Sequence, residues 1–171
     1  MKRSELREHI FRMIFGYEFN SDAEMPEQMQ LYFEQLDEED GVPTEAEVTY
    51  IRDKALNVIL KTEEIDEMLN ANTKGWKTGR MNKVDLSILR LAVYEMKWDD
   101  EIPAGVAIDQ AVELAKKGLA ISQKRYEIGN GTILELNNSQ VSLTNMQLTY
   151  NNSIYDYLVA QSELKTVLGE E

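Results

Sequence analysis

The sequence contains no cysteine, which excludes a disulfide framework, thiolate zinc sites and a cysteine nucleophile. A single histidine excludes any His-rich metal cluster. Only three prolines and nine glycines interrupt 171 residues, of which 43% are hydrophobic, and this favours helix over a β-rich chain. No apolar run approaches the roughly 18–20 residues that cross a bilayer. Met1-Lys2-Arg3-Ser4-Glu5 lacks the apolar core of a secretory signal, so a cytoplasmic protein is expected. Positive charge is scarce too. Eighteen basic residues against 31 acidic ones leave a net charge of −13. That balance argues against a nucleic-acid coat or a polybasic membrane binder, and leaves room only for a local basic patch. The length suits one ordinary domain, or one domain with a long appendage.

What is present is helical periodicity. Leu6, Ile10, Met13 and Tyr17, with Phe11, Phe15 and Phe19 beside them, predict one broad apolar face on a first helix. Pro26 suits a first helical turn before Met29, Phe33 and Leu36. Thr44-Glu45-Ala46-Glu47 reads as a capping box that opens a helix carrying Val48, Ile51, Ala55, Val58 and Ile59. A shorter helix with Ile65, Met68 and Leu69 ends near Asn72, and a basic connector follows, Lys74-Gly75-Trp76-Lys77-Thr78-Gly79-Arg80. Residues 84–96 are apolar on almost every side, the pattern of a central helix. Pro103 opens a sixth helix with Val106, Ile108, Ala111, Val112 and Ala115, expected to run to about Ile128.

Composition changes near residue 118. Residues 1–117 hold 15 basic and 25 acidic side chains, residues 118–171 only 3 and 6, while Asn, Gln, Ser and Thr rise from 17 of 117 to 19 of 54. The chain therefore reads as two segments, 1–117 and 118–171. A turn at 129–132 (Gly129-Asn130-Gly131-Thr132) precedes a proline-free stretch to Leu168. There Leu136, Leu143, Tyr150, Tyr157 and Leu164 repeat by seven, as do Leu134, Val141, Leu148 and Tyr155. An offset of two positions turns a helix by roughly 200°, so the seams lie on nearly opposite sides and each needs a neighbour. A wet seam invites self-association.

The stretch from Arg80 to Met96 (RMNKVDLSILRLAVYEM), then Ile102-Pro103 and Val106 to Lys117, together with Arg7-Glu8 and the aromatic first helix, resembles the NusB family of bacterial transcription antitermination factors. The resemblance covers residues 1 to about 117. It implies an all-α fold of two three-helix sub-bundles that binds boxA-type RNA with a small-subunit ribosomal protein doubling as elongation factor. It also points to Phe15, Asp85 and Glu95 as residues that meet this partner. No cofactor, metal or catalytic residue is expected.

After Lys117 the family pattern departs, with no phenylalanine-glycine turn and no final-helix motif, and Gly105 stands where the family usually carries lysine. Instead Glu113 to Gly169, with Ala120 to Thr132, Leu136-Asn137-Asn138-Ser139-Gln140 and Tyr155 to Ala160, resembles the carboxy-terminal helical hairpin of TolC-type outer-membrane efflux proteins. The expected architecture is a truncated NusB-like bundle followed by a long antiparallel coiled-coil hairpin, a chimera joined inside one helix. Its long last helix is expected to lie back over the bundle, in the groove left by the replaced family helix.

Two basic clusters are the candidate RNA ligands. Lys2, Arg3 and Arg7 lie on the first turns of helix one, and Arg3 and Arg7 are four apart on one face. Such a patch suits RNA phosphates, because screening confines the field of the acidic remainder to about 10 Å. It equally suits an ordinary solvated helix end. Lys74, Lys77 and Arg80 flank Trp76, a residue fit either to stack on a base or to anchor its loop. His9, beside Glu5, Glu8 and Arg12, reads as solvated or capping, and nothing nearby supplies a nucleophile. Two alternatives stay open: an assembly module built on the hairpin, and a folded chain without retained activity.

Overall fold

The computed structural model describes residues 1–21, 23–36, 42–72 and 77–148. Every regular element among them is helical. α1 spans Arg3–Tyr17, α2 Met25–Glu34, α3 Glu45–Leu60, α4 Thr62–Asn72, α5 Lys83–Trp98 and α6 Ala104–Glu127. A short 3-10 turn, Thr78–Arg80, precedes α5, and residues 133–148 form a further helix after the glycine turn. None of the described helices is long and apolar enough to cross a membrane. Packing divides the chain into two compact units, Met1–Trp98 and Asp99–Glu171. The first unit holds α1 to α5.

In the first unit α1 packs on α3 and α5, and α5 also packs on α4. Its core is built from Ile10 and Ile14 of α1, Ile51, Ala55 and Val58 of α3, Ile65 of α4, and Leu86, Ile88 and Leu91 of α5. The three- and four-residue spacing of these positions is what aims them inward. α1 nonetheless departs from its expected face. Ile10, Met13 and Ile14 turn inward together with Arg7 and His9. The phenylalanines instead form a ladder on the flank, with ring centroids 6.1 Å apart for Phe11–Phe15 and 5.1 Å for Phe15–Phe19, and Phe19 lies exposed.

Local chemistry sets the helix ends. Thr44 caps α3, its Oγ1 accepting from the Glu47 N–H at 3.3 Å while its own N–H donates to Glu47 Oε2 at 2.8 Å. These bonds satisfy two backbone donors that the first turn of a helix leaves without partners. At the far end of the unit Trp98 closes α5. Its ring stacks on Tyr94 with centroids 5.9 Å apart, and the ammonium groups of Lys61 and Lys97 lie 5.2 and 4.9 Å from its centre. Both distances fall within the reach of a cation–π attraction.

In the second unit α6 and residues 133–148 form a helical hairpin. The Ser122 and Ser139 hydroxyls meet across it at 3.0 Å. Gly129 makes the turn at φ +75°, a conformation that L side chains rarely adopt. The compositional change at residue 118 falls inside α6, which is one unbroken helix. Of the two expected seams, Leu143 is buried and Leu136 half-buried, while Leu134, Val141 and Leu148 are exposed. Tyr150, Tyr155, Tyr157 and Leu164, and the expected return of the last helix over the bundle, lie outside the described residues.

The capping box gives a direct test. Thr44→Ala is expected to lower the stability of the protein by about 1 kcal/mol, read as a lower urea midpoint with an unchanged slope.

Candidate functional site

The lysine and arginine side chains divide by burial into two populations. One is interior. Arg7 on α1 is 7% exposed, and its Nε lies 3.0 Å from both carboxylate oxygens of Glu95 on α5. Lys54 on α3 reaches the same carboxylate at 2.9 Å and donates to the Tyr50 hydroxyl at 3.2 Å. Glu95 itself is 1% exposed. Two cations thus share one anion at the junction of three helices.

This corrects two expectations. Arg7 is not a surface phosphate ligand, because its guanidinium is spent on Glu95. Glu95 is covered by α1 and α3 rather than presented at the surface. The signal was present in the sequence: Arg7, Ile10 and Ile14 lie on one helical face, as do Ile51, Lys54, Ala55 and Val58. A cation on an apolar stripe requires a buried acid. Asp85 is buried in the first turn of α5, where the helix dipole favours an anion. His9 is likewise inside rather than solvated, its Nδ1 2.6 Å from the Tyr32 hydroxyl of α2.

A second network joins the end of α1 to α4 and α5. Arg90 forms a two-pronged bridge to Asp66, Nε–Oδ1 2.9 Å and Nη2–Oδ2 2.8 Å, and also pairs with Glu18, which in turn pairs with Lys83. Burial works against the Glu18 carboxylate, but hydrogen bonds and charge from Lys83 and Arg90 outweigh it and hold its pKa below the ordinary value.

The second population is exposed. Lys2 and Arg3 stand at the start of α1 and make no ion pair with any described residue. Lys77 and Arg80 are exposed around the 3-10 turn, and Lys77 Nζ donates to the Asn70 carbonyl at 2.9 Å. Lys74 and Trp76 lie outside the described residues. Phe15 is half-buried in the middle of the aromatic ladder on the flank of α1.

Comparison with known proteins places this arrangement. The NusB family model matches residues 4–132. Transcription antitermination protein NusB of Agathobacter rectalis is 48% identical over 117 residues, which are 68% of this chain and 86% of that protein. The Lachnoclostridium phytofermentans protein of the same name is 47% identical with the same coverage. A solved structure of T. maritima NusB superposes with a TM-score of 0.58 at 25% identity, covering 85% of this chain and 90% of that one. Fold and relatives together define an all-helical transcription antitermination class rather than an enzyme. Within that class, the chain belongs to the NusB family. The match passes residue 117, where the resemblance was expected to stop, and runs through the glycine turn. The TolC-type resemblance draws no support from these comparisons.

Three outcomes follow from this division of the charges. Glu95→Ala strands two buried cations and is expected to destabilise the protein by about 3–5 kcal/mol. Arg3→Ala is expected to change stability by no more than about 0.5 kcal/mol, both read by urea unfolding. For Glu18 the sign follows from its lowered folded-state pKa. Its stabilisation is present above the ordinary carboxylate pKa and is lost as pH falls through the lowered value. Melting curves of Glu18→Gln and the parent, taken across the acid range, are expected to converge at the lowest pH.

Proposed function

We propose that this chain is a transcription antitermination factor that binds boxA-type RNA through the exposed cations at the start of α1. Family membership across residues 4–132 is the observation that carries this reading. Lys2 and Arg3 are the ligands we assign, with Lys77 and Arg80 as a second phosphate contact; Arg7 positions α1 from within and touches no RNA. Unpaired cations on a chain of net charge −13 supply attraction that acts only at close range, so binding is weak, salt-dependent and local.

The assigned protein partner is a small-subunit ribosomal protein, docked on the aromatic ladder centred at Phe15. Half-exposed phenylalanines in a row offer the apolar anchor that such an interface needs.

A second reading concerns assembly. Leu134, Val141 and Leu148 are exposed at seven-residue spacing on a helix whose only charged residue among 133–148 is Glu135. Such a seam suits helix pairing between copies, whether or not RNA is bound. The helix over residues 133–148 would then act as an assembly element beyond the family match.

Titration of boxA-type RNA by fluorescence anisotropy, with and without the ribosomal protein, tests the first reading. The double substitution of Lys2 and Arg3 by Ala is expected to flatten the plot of log affinity against log salt by about 1.4, two single-strand phosphate contacts at about 0.7 each. An unchanged slope rules out the assignment. Light scattering on the parent and on Leu134→Glu with Val141→Glu tests the second reading, and equal monomeric masses count against it.

A further inference from the structure

The sequence motif Gly129-Asn130-Gly131 is used by neither RNA binding nor partner docking, and its geometry carries a chemical consequence. Asn130 is exposed in the turn between α6 and the helix over residues 133–148. Its backbone is held at both ends by Arg125: the Asn130 N–H donates to the Arg125 carbonyl at 2.8 Å, and the Asn130 carbonyl accepts from Arg125 Nη2 at 3.2 Å. Its side-chain amide makes no hydrogen bond with any described residue, and the Gly131 N–H donates to none.

Packing favours glycine after Asn130. A Cβ at position 131 would stand 3.1 Å from Arg125 Cβ, 3.1 Å from the Tyr126 nitrogen and 3.2 Å from the Arg125 carbonyl carbon. Such contacts are tighter than nine in ten that real Cβ atoms make, so a side chain there would require the Arg125–Tyr126 backbone to give by a few tenths of an ångström. The absence of a side chain leaves the Gly131 nitrogen unshielded beside the asparagine amide.

We propose that Asn130 is a site of spontaneous deamidation and isoaspartyl formation. The Gly131 backbone nitrogen, on losing its proton, attacks Asn130 Cγ, and a C–N bond forms. The Cγ–Nδ2 bond breaks and ammonia leaves, closing a five-membered succinimide. Water then opens the ring. Attack at one carbonyl gives aspartate, and attack at the other gives isoaspartate, whose main chain runs through the former side chain. Water is the only co-reactant, and each product carries one new carboxylate. The isoaspartyl product also lengthens the backbone by one carbon at the point where the chain reverses.

The remaining described asparagines are placed differently. Asn130 is the one asparagine in the sequence followed by glycine. Asn137 and Asn138 lie inside a helix, where backbone N–H groups are engaged along the helix. Asn20 donates its side-chain amide to the Gly16 carbonyl at 2.7 Å, and Asn82 Oδ1 accepts from the Val84 N–H at 3.0 Å.

The test incubates the folded full-length chain in mildly alkaline buffer and follows each asparagine peptide by mass spectrometry. Isoaspartate is counted by enzymatic methylation with an isoaspartyl methyltransferase. The Asn130 peptide is expected to convert about tenfold faster than the peptide holding Asn137 and Asn138, a barrier lower by about 1.4 kcal/mol. Asn130→Gln is expected to keep the parent's circular dichroism and to abolish most methyl incorporation. Equal conversion rates for the two peptides, or full methyl incorporation in Asn130→Gln, would overturn the proposal.

Discussion

The carboxylate of Glu95 is the constraint on which the first unit depends. It lies at the junction of α1, α3 and α5 and receives Arg7 and Lys54 together. Buried charges are costly to desolvate, and such a cluster contributes little net stability compared with apolar packing of the same volume. What it contributes is register. An apolar face tolerates sliding or rotation by a residue, whereas three charged groups meet in one arrangement only. Any other docking of α1 on α3 and α5 strands a cation in the interior. The aromatic ladder and the exposed cations at the start of α1 inherit their orientation from this arrangement, because they share the helix that Arg7 fixes.

Much of the fold was legible in the sequence. The capping box at Thr44, the inward stripe of Ile51, Ala55 and Val58, the central α5 and the glycine turn after α6 follow from spacing and turn chemistry alone. The polar interior was not legible in the same way. A single sequence shows that a lysine or arginine falls on an apolar stripe, but the acid that satisfies it lies on another helix, 88 residues away for Arg7. Periodicity is a property of one element; an ion pair is a property of two. His9 was misplaced for the same reason, since Tyr32, which takes it inside, belongs to α2.

The candidate site was legible in part. Lys2 and Arg3 are exposed at the start of α1, as expected of a solvated helix end, and Phe15 is half-buried on its flank. Arg7, Asp85 and Glu95 are interior residues, and for Arg7 and Glu95 the motif positions hold α1 and α5 together. In a motif, residues that hold the scaffold and residues that meet a ligand look alike. Burial separates them. The change of composition near residue 118 is real as composition, yet α6 crosses it without a break and the family match continues to residue 132. A shift from charged to uncharged polar residues alters what a helix offers its neighbours without altering its backbone.

Trp98 has a consequence for how the chain tolerates change beyond it. With Tyr94 stacked on its ring and ammonium groups from Lys61 and Lys97 drawn to it, the last turn of α5 is riveted to the junction of α3 and α4. Fraying that begins past Asp99 meets this rivet before it reaches Glu95 or Arg90. Changes of length or polarity past Asp99 therefore leave the anchoring of α5 to α3 and α4 intact.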